Sequence, residues 1–219
     1  MAERQILFIV IDDDNYHHSF SIIYKIVIYC SQHHHKMLII FPQVQGDECS
    51  LFIERLFMRL KPEEEERLNR ILAPIRNDER VQRMKNYIQH GSISTYQHVE
   101  NVTRLSYWLN CRLHLGADER VLSIGAFLHD YYLYDWHKKS DSNKMHGFTH
   151  AKIACENAKK HFNIGKRTQE VIEKHMWPLN MSKIPVSREA WIVCLADKWI
   201  STKETLFCRA KVRAVAEQV

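Results

Sequence analysis

The hydrophobic rhythm of the chain changes near residue 60. Before it lie three β-branched and aromatic runs: Ile6-Leu7-Phe8-Ile9-Val10-Ile11, Ile22 to Tyr29, and Met37 to Phe41. Polar clusters separate them, Asp12 to His18 and Ser31 to Lys36. Such runs, bounded by polar turns, predict two or three short strands. His33-His34-His35 falls in the second cluster and reads as a solvated loop. From Pro62 onward apolar residues recur every three or four positions, the period of a helix with one buried face. The expected chain is mostly α, with a short β-type N-terminal segment over 1–60 and an all-α domain over 61–219.

Individual helices can be bounded by their end signals. Pro62, followed by Glu63 to Glu66, starts the first, with acids facing the positive end of the helix dipole. Pro74 is expected to interrupt it, and a second helix to run from about Asp78 to Gln89, with a break at Gly91-Ser92. Ser94 or Thr95 caps the third, whose stripe holds His98, Val99, Val102, Leu105, Leu109 and Leu113. The fourth begins near Asp118 and carries Val121, Leu122, Ile124, Gly125 and Leu128 into the dipeptide His129-Asp130. Gly125 and Ala126 leave room for another helix to approach closely.

An aromatic and polar loop, Tyr131 to Gly147, follows. A fifth helix starts around Phe148-Thr149-His150, with His150, Ile153, Ala154, Ala158 and His161 on one face. The sixth, Arg167 to Met176, lines up Thr168, Val171, Ile172 and His175 before Pro178 stops it. The seventh starts at Ser187 and lines up Ala190, Val193, Cys194, Asp197, Ile200 and Ser201, with Asp197 as the only charge on that stripe. The tail, Lys203 to Gln218, reads as one more helix.

Composition adds bounds rather than detail. At 45% hydrophobic and 26% charged, the chain has enough apolar mass for a sizeable core. The net charge of +5 suits an anionic small molecule as well as nucleic acid. No clustered Lys or Arg face stands out, so a nucleic-acid polymer is not the expected partner. The six cysteines form no Cys-x-x-Cys pair, which points to a reduced, cytoplasmic protein. No apolar stretch reaches the ~20 residues that span a bilayer, so no membrane partner is expected.

The informative anomaly is polar. His98, His129-Asp130, His150, His175 and Asp197 each fall on the apolar stripe or at the buried end of a different helix. A lone inward histidine is commonly a hydrogen-bonded core residue. Five helices with such residues would need separate buried partners for each, because an unpartnered buried polar group is costly. One shared metal centre satisfies all of them together.

The order His, His-Asp, His, His, Asp resembles the HD-domain superfamily of metal-dependent phosphohydrolases over about Ser94 to Leu206. Leu128-His129-Asp130 and Leu195-Ala196-Asp197-Lys198 carry the resemblance most strongly. Phe127 to His137, His146-Gly147-Phe148-Thr149-His150-Ala151 and Lys174 to Pro178 are similar to a group of small bacterial HD proteins. The resemblance implies an all-α bundle. It also implies a first metal on His98, His129, Asp130 and Asp197, and a second on Asp130, His150 and His175, with Asp130 as the bridge. His146 competes with His150 as ligand. His150 is preferred because small and apolar residues follow it at helical spacing, which leaves His146 to meet substrate.

One or two divalent ions (Fe, Mn, Zn, Ni or Mg) suit this mixed imidazole and carboxylate set. The implied activity is hydrolysis of a phosphate ester of a small molecule or nucleotide, with a metal-activated water as nucleophile. Lys138, Lys139, Lys144, Lys174 and Lys198 are candidates to hold the phosphate charge. Many members follow the dipeptide with Gly-Lys, and here Tyr132 and Leu133 stand there instead. Two alternatives remain open: a di-iron oxygenase on the same scaffold, and a non-catalytic metal-binding regulatory module.

Overall fold

The structure, a computed structural model, describes residues 25–29, 36–40, 59–90, 92–137 and 146–216. It divides the chain into two compact units, Met1–Phe57 and Met58–Val219. In the first, strands β1 (Lys25–Tyr29) and β2 (Lys36–Ile40) pair antiparallel, with Lys25 opposite Ile40 and Tyr29 opposite Lys36. The third expected strand, Ile6 to Ile11, and the His33-His34-His35 loop lie outside the described residues.

The second unit is helical. Helix α1 (Pro62–Arg76) starts with Glu64 accepting the Lys61 backbone N–H at 2.8 Å. It runs through Pro74 instead of breaking there. Pro74 sits in the last turn, so the missing N–H removes a single hydrogen bond near an end that Asn77 already closes. The helix expected from Asp78 to Gln89 is much shorter. Asp78 caps α2 (Glu79–Gln82), a 3₁₀ turn follows over Arg83–Asn86, and the chain then extends into β3 (Ile88–His90). Strand β3 pairs with β4 (Ile93–Ser94), and the Thr95 N–H donates to Tyr87 O at 2.8 Å. Hairpin pairing satisfies these backbone groups and outcompetes continued helix.

Helix α3 (Thr95–Leu113) is capped by Ser94, whose Oγ accepts from the Gln97 N–H. Helix α4 (Glu119–Leu128) is capped by Asp118, which accepts from Arg120 and Val121 at 3.0 Å each. Helix α5 spans His146–Phe162, α6 Lys166–Lys174 and α7 Arg188–Ala216. Two helices were expected where α7 runs unbroken. Ser201, Thr202 and Lys203 contain no Gly or Pro, and the hydroxyls of Thr202 and Thr205 fold back onto the carbonyls of Lys198 and Ser201.

Helix α4 is the centre of the packing. Beyond its first turn, every residue from Leu122 to Leu128 is buried, so that stretch has no solvent face. It touches α1, α3, α6 and α7. Gly125 makes the α6 contact possible: a Cβ added there would sit 2.6 Å from Val171 Cγ1. The mostly α architecture expected for the chain is what is observed. No helix among the described residues is long and apolar enough to cross a membrane.

Candidate metal centre

The end of α4 builds the centre of the site. Helical hydrogen bonding stops at Leu128, and a tighter bond from the Tyr131 N–H to Leu128 O at 3.1 Å turns the chain. That turn aims two adjacent side chains, His129 and Asp130, at one point. His129 Nδ1 lies 2.7 Å from Ala126 O. A carbonyl only accepts, so Nδ1 carries the proton and donates it, and Nε2 is left facing inward. Helix α6 ends the same way. His175 follows its last residue and its Nδ1 donates to Ile172 O at 2.7 Å. Each histidine closes an otherwise unpaired carbonyl at a helix end and is itself fixed in orientation by doing so.

The other donors come from helix faces. His98 lies in the first turn of α3, fully buried, and its Nδ1 donates to Glu204 Oε2 at 2.8 Å. His150 projects from the first turns of α5 and Asp197 from α7, and both are buried. The Asp130 carboxylate lies between two groups. On one side, Oδ2 is 3.4 Å from His129 Nε2 and 3.7 Å from His98 Nε2. Asp197 Oδ1 is 3.2 Å from His98 Nε2 and 3.7 Å from His129 Nε2. On the other side, Oδ1 is 3.3 Å from His150 Nε2 and 3.6 Å from His175 Nε2, and the two imidazole nitrogens are 3.1 Å apart.

These donors fit a divalent metal. His98, His129 and Asp130 converge as one possible ligand group, and Asp130, His150 and His175 as another. Ligand atoms bound at ~2.0–2.2 Å to one ion are separated by roughly the distances seen here. Within the cluster, His129 Nε2 and Asp130 Oδ1 are buried atoms that make no hydrogen bond among the described residues. Such atoms are rare without a reason, and one belongs to each side of the cluster.

The protonation preferences follow from the crowding. Burial opposes charge on His98, yet its hydrogen bonds to Asp197 and Glu204 outweigh that and raise its pKa to about 9. His129 is likewise raised, to about 10, because the Asp130 and Asp197 carboxylates outweigh burial. Burial would raise both carboxylates, but the neighbouring histidines hold Asp130 and Asp197 well below the usual range. His175 moves the opposite way, pushed down by burial and by the positive charge of His129.

All six residues proposed as ligands from sequence therefore lie in one buried cluster, in two groups on either side of Asp130. The backbone of His146 begins α5, and its side chain lies outside the described ones. Of the candidate cations, Lys198 reaches the cluster: its Nζ donates to Asp197 Oδ2 at 2.9 Å and to His175 O at 2.8 Å. Lys174 instead pairs with Glu170. Lys138, Lys139 and Lys144 lie outside the described residues.

Three supporting side chains were not anticipated. Glu204 holds His98, Ser201 donates to Asp197 Oδ1 at 3.1 Å, and Gln89 Nε2 donates to Asp130 Oδ2 at 2.6 Å. Glu204 is thus a second carboxylate on the stripe of Asp197, about two helical turns onward by its seven-residue spacing. That spacing was the available signal, hidden by expecting a helix break before Lys203.

Residues 95–200 match the family model of the HD domain. No curated protein and no solved structure was found to match the chain.

Proposed function

We propose, with the HD-domain match over 95–200 as premise, that this protein is a phosphohydrolase that works through a pair of divalent metals. The substrate would be a phosphate ester of a small molecule or nucleotide. The observation that carries the reading is the Asp130 carboxylate, with one oxygen directed to each of two histidine groups. In the assignment we favour, His98, His129, Asp130 and Asp197 hold one ion, and Asp130, His150 and His175 the other. Bound metals would supply Lewis-acid activation of a water and neutralise charge on the phosphate oxygens.

The protein's own groups would do the rest. His129 and His175 keep Nε2 directed inward because their Nδ1 protons are committed to backbone carbonyls. Glu204 accepts a hydrogen bond from His98 Nδ1 and makes that imidazole a stronger donor. Lys198 offsets the charge of Asp197 and ties α7 to the end of α6 through His175 O. Its side chain retains 37% exposure, so a third ammonium proton can meet an anionic substrate at the edge of the site. His146, at the start of α5, is proposed to meet substrate as well.

The test is elemental analysis of untagged protein, followed by turnover of phosphate monoesters and nucleotides with each of Mn, Mg, Fe, Zn and Ni. Two metals per chain and metal-dependent phosphate release are expected. Asp130→Ala should lose both metals and all turnover. Full metal content and turnover in Asp130→Ala would overturn the assignment. Turnover that requires O2 and iron would replace hydrolysis with oxidative cleavage.

A further inference from the structure

Gln89 is buried, polar and outside every helix. It lies in β3, nine positions before His98, and its side-chain amide is tied at both ends. Nε2 donates to Asp130 Oδ2 at 2.6 Å. Oε1 accepts from the Tyr132 hydroxyl and, at 3.3 Å, from the Thr95 hydroxyl. The two hydroxyls are themselves 3.1 Å apart. This pattern settles which way the amide points. An ionised carboxylate only accepts, so the amide NH2 must face Asp130 and the amide oxygen must face the hydroxyls.

The contact falls on an atom where orientation matters. The terminal torsion of an aspartate is broad and roughly two-fold, so its packing alone does not decide which oxygen turns to which neighbour. Here Oδ2 faces His98 and His129, and Oδ1 faces His150 and His175. The Gln89 bond grips Oδ2 and leaves Oδ1 without a hydrogen bond among the described residues. Thr95 sits in the first turn of α3, one turn before His98, and Tyr132 two residues after Asp130. The hairpin, the start of α3 and the chain beyond α4 are therefore joined through one amide.

We infer that Gln89 is a positioning residue that sets the twist of the Asp130 carboxylate, and that Tyr132 and Thr95 act through it by fixing the amide. The inference rests on the two-metal reading above. Gln89 does not touch substrate in this role. Its loss would loosen the shared ligand, so the cost falls on the pairing of the two ions more than on folding.

Gln89→Met tests this, since it keeps the length of the side chain and removes the amide. Mn(II) titration is expected to show affinity for the more weakly held ion reduced about 10- to 100-fold, the usual cost of removing a hydrogen bond to a metal ligand. At saturating Mn(II), the EPR spectrum of the coupled ion pair should change while the melting temperature of the metal-free protein stays near wild type. Tyr132→Phe should act in the same direction, and the double variant should be no worse than Gln89→Met alone. If Gln89→Met does not fold, Tyr132→Phe makes the same test by the same two readouts. Unchanged affinity and spectrum, or additive effects in the double variant, overturn the inference and leave the metal reading intact. Wild-type protein that binds no Mn(II) overturns the metal reading itself.

Discussion

Adding one methyl group to Gly125 should disturb the cluster from a distance. Its Cβ would stand 2.6 Å from Val171 Cγ1, 2.8 Å from Val171 Cβ and 3.3 Å from Val171 Cγ2. Ordinary contact between such carbons is about 3.5–4.0 Å, so α6 must move away by roughly 1 Å. Val171 lies one helical turn before His175, so the displacement carries the imidazole with it. The 3.1 Å approach of His175 to His150 and its 3.6 Å approach to Asp130 would both open. Overpacking of this kind costs about 1–3 kcal/mol. Replacing Gly by Ala in a helix interior returns at most ~1 kcal/mol. With that full gain subtracted, the net loss for Gly125→Ala is up to about 2 kcal/mol, or up to about 8 °C in melting temperature for a unit of this size.

The assay is a thermal melt of the metal-free protein paired with a metal titration. The affinity of the group containing His175 should fall more than that of the group containing His98. Val171→Ala in the same chain removes the contacts at 2.6 and 3.3 Å but leaves the one at 2.8 Å, so it should rescue only partly. Val171→Gly should clear all three at a helix cost of about 1 kcal/mol. A Gly125→Ala protein as stable as wild type, with both metals bound normally, would refute the close α4–α6 contact and its link to the site.

Two further outcomes follow from single contacts. Glu204→Gln should weaken metal binding about 10- to 100-fold through His98 while leaving the fold intact, checked by competition with a chelator. Glu64 gives a pH test away from the cluster. The Arg112 guanidinium, hydrogen-bonded to it at 2.7 Å, lowers its pKa from 4.5 to about 2 despite burial. A carboxylate with a depressed pKa contributes stability that is full above the unfolded value and lost as pH falls through the folded one. Glu64→Gln should therefore cost up to about 3 kcal/mol at pH 7, and its difference from wild type should shrink between pH 4.5 and 2 in urea melts.

Much of this geometry was legible in the one-dimensional pattern, for a physical reason. His98, Asp197 and the His129-Asp130 pair stand out because their neighbours at helical spacing are apolar, so the helix period alone turns them inward. The same reasoning led from Gly125 to a close helix contact. It failed where hydrogen bonds between distant segments decide the local structure. The 78–89 stretch carries helix-forming residues, and only pairing of Ile88 with Ser94 draws it into a strand. Gln89 was therefore assigned to a helix end and not to the site. Glu204 was lost to a break that Ser201 and Thr202 do not cause. Their hydroxyls are absorbed by the helix and by Asp197.

The bond between His98 and Glu204 joins residues 106 positions apart. A ribosome adding ~5–20 residues per second needs about 5–20 s to make that interval. During that time α3 and α4 already exist with His98, His129 and Asp130, but without the carboxylates of Asp197 and Glu204. Their most compact arrangement would bury donors whose partners have not been synthesised. The nascent chain thus gains little from closing early, and on the proposed assignment an ion captured by the first three donors would lack Asp197. Synthesis of α7 through Glu204 is the event that makes burial of the cluster favourable, so this helix acts as the chain's own check that synthesis has reached it.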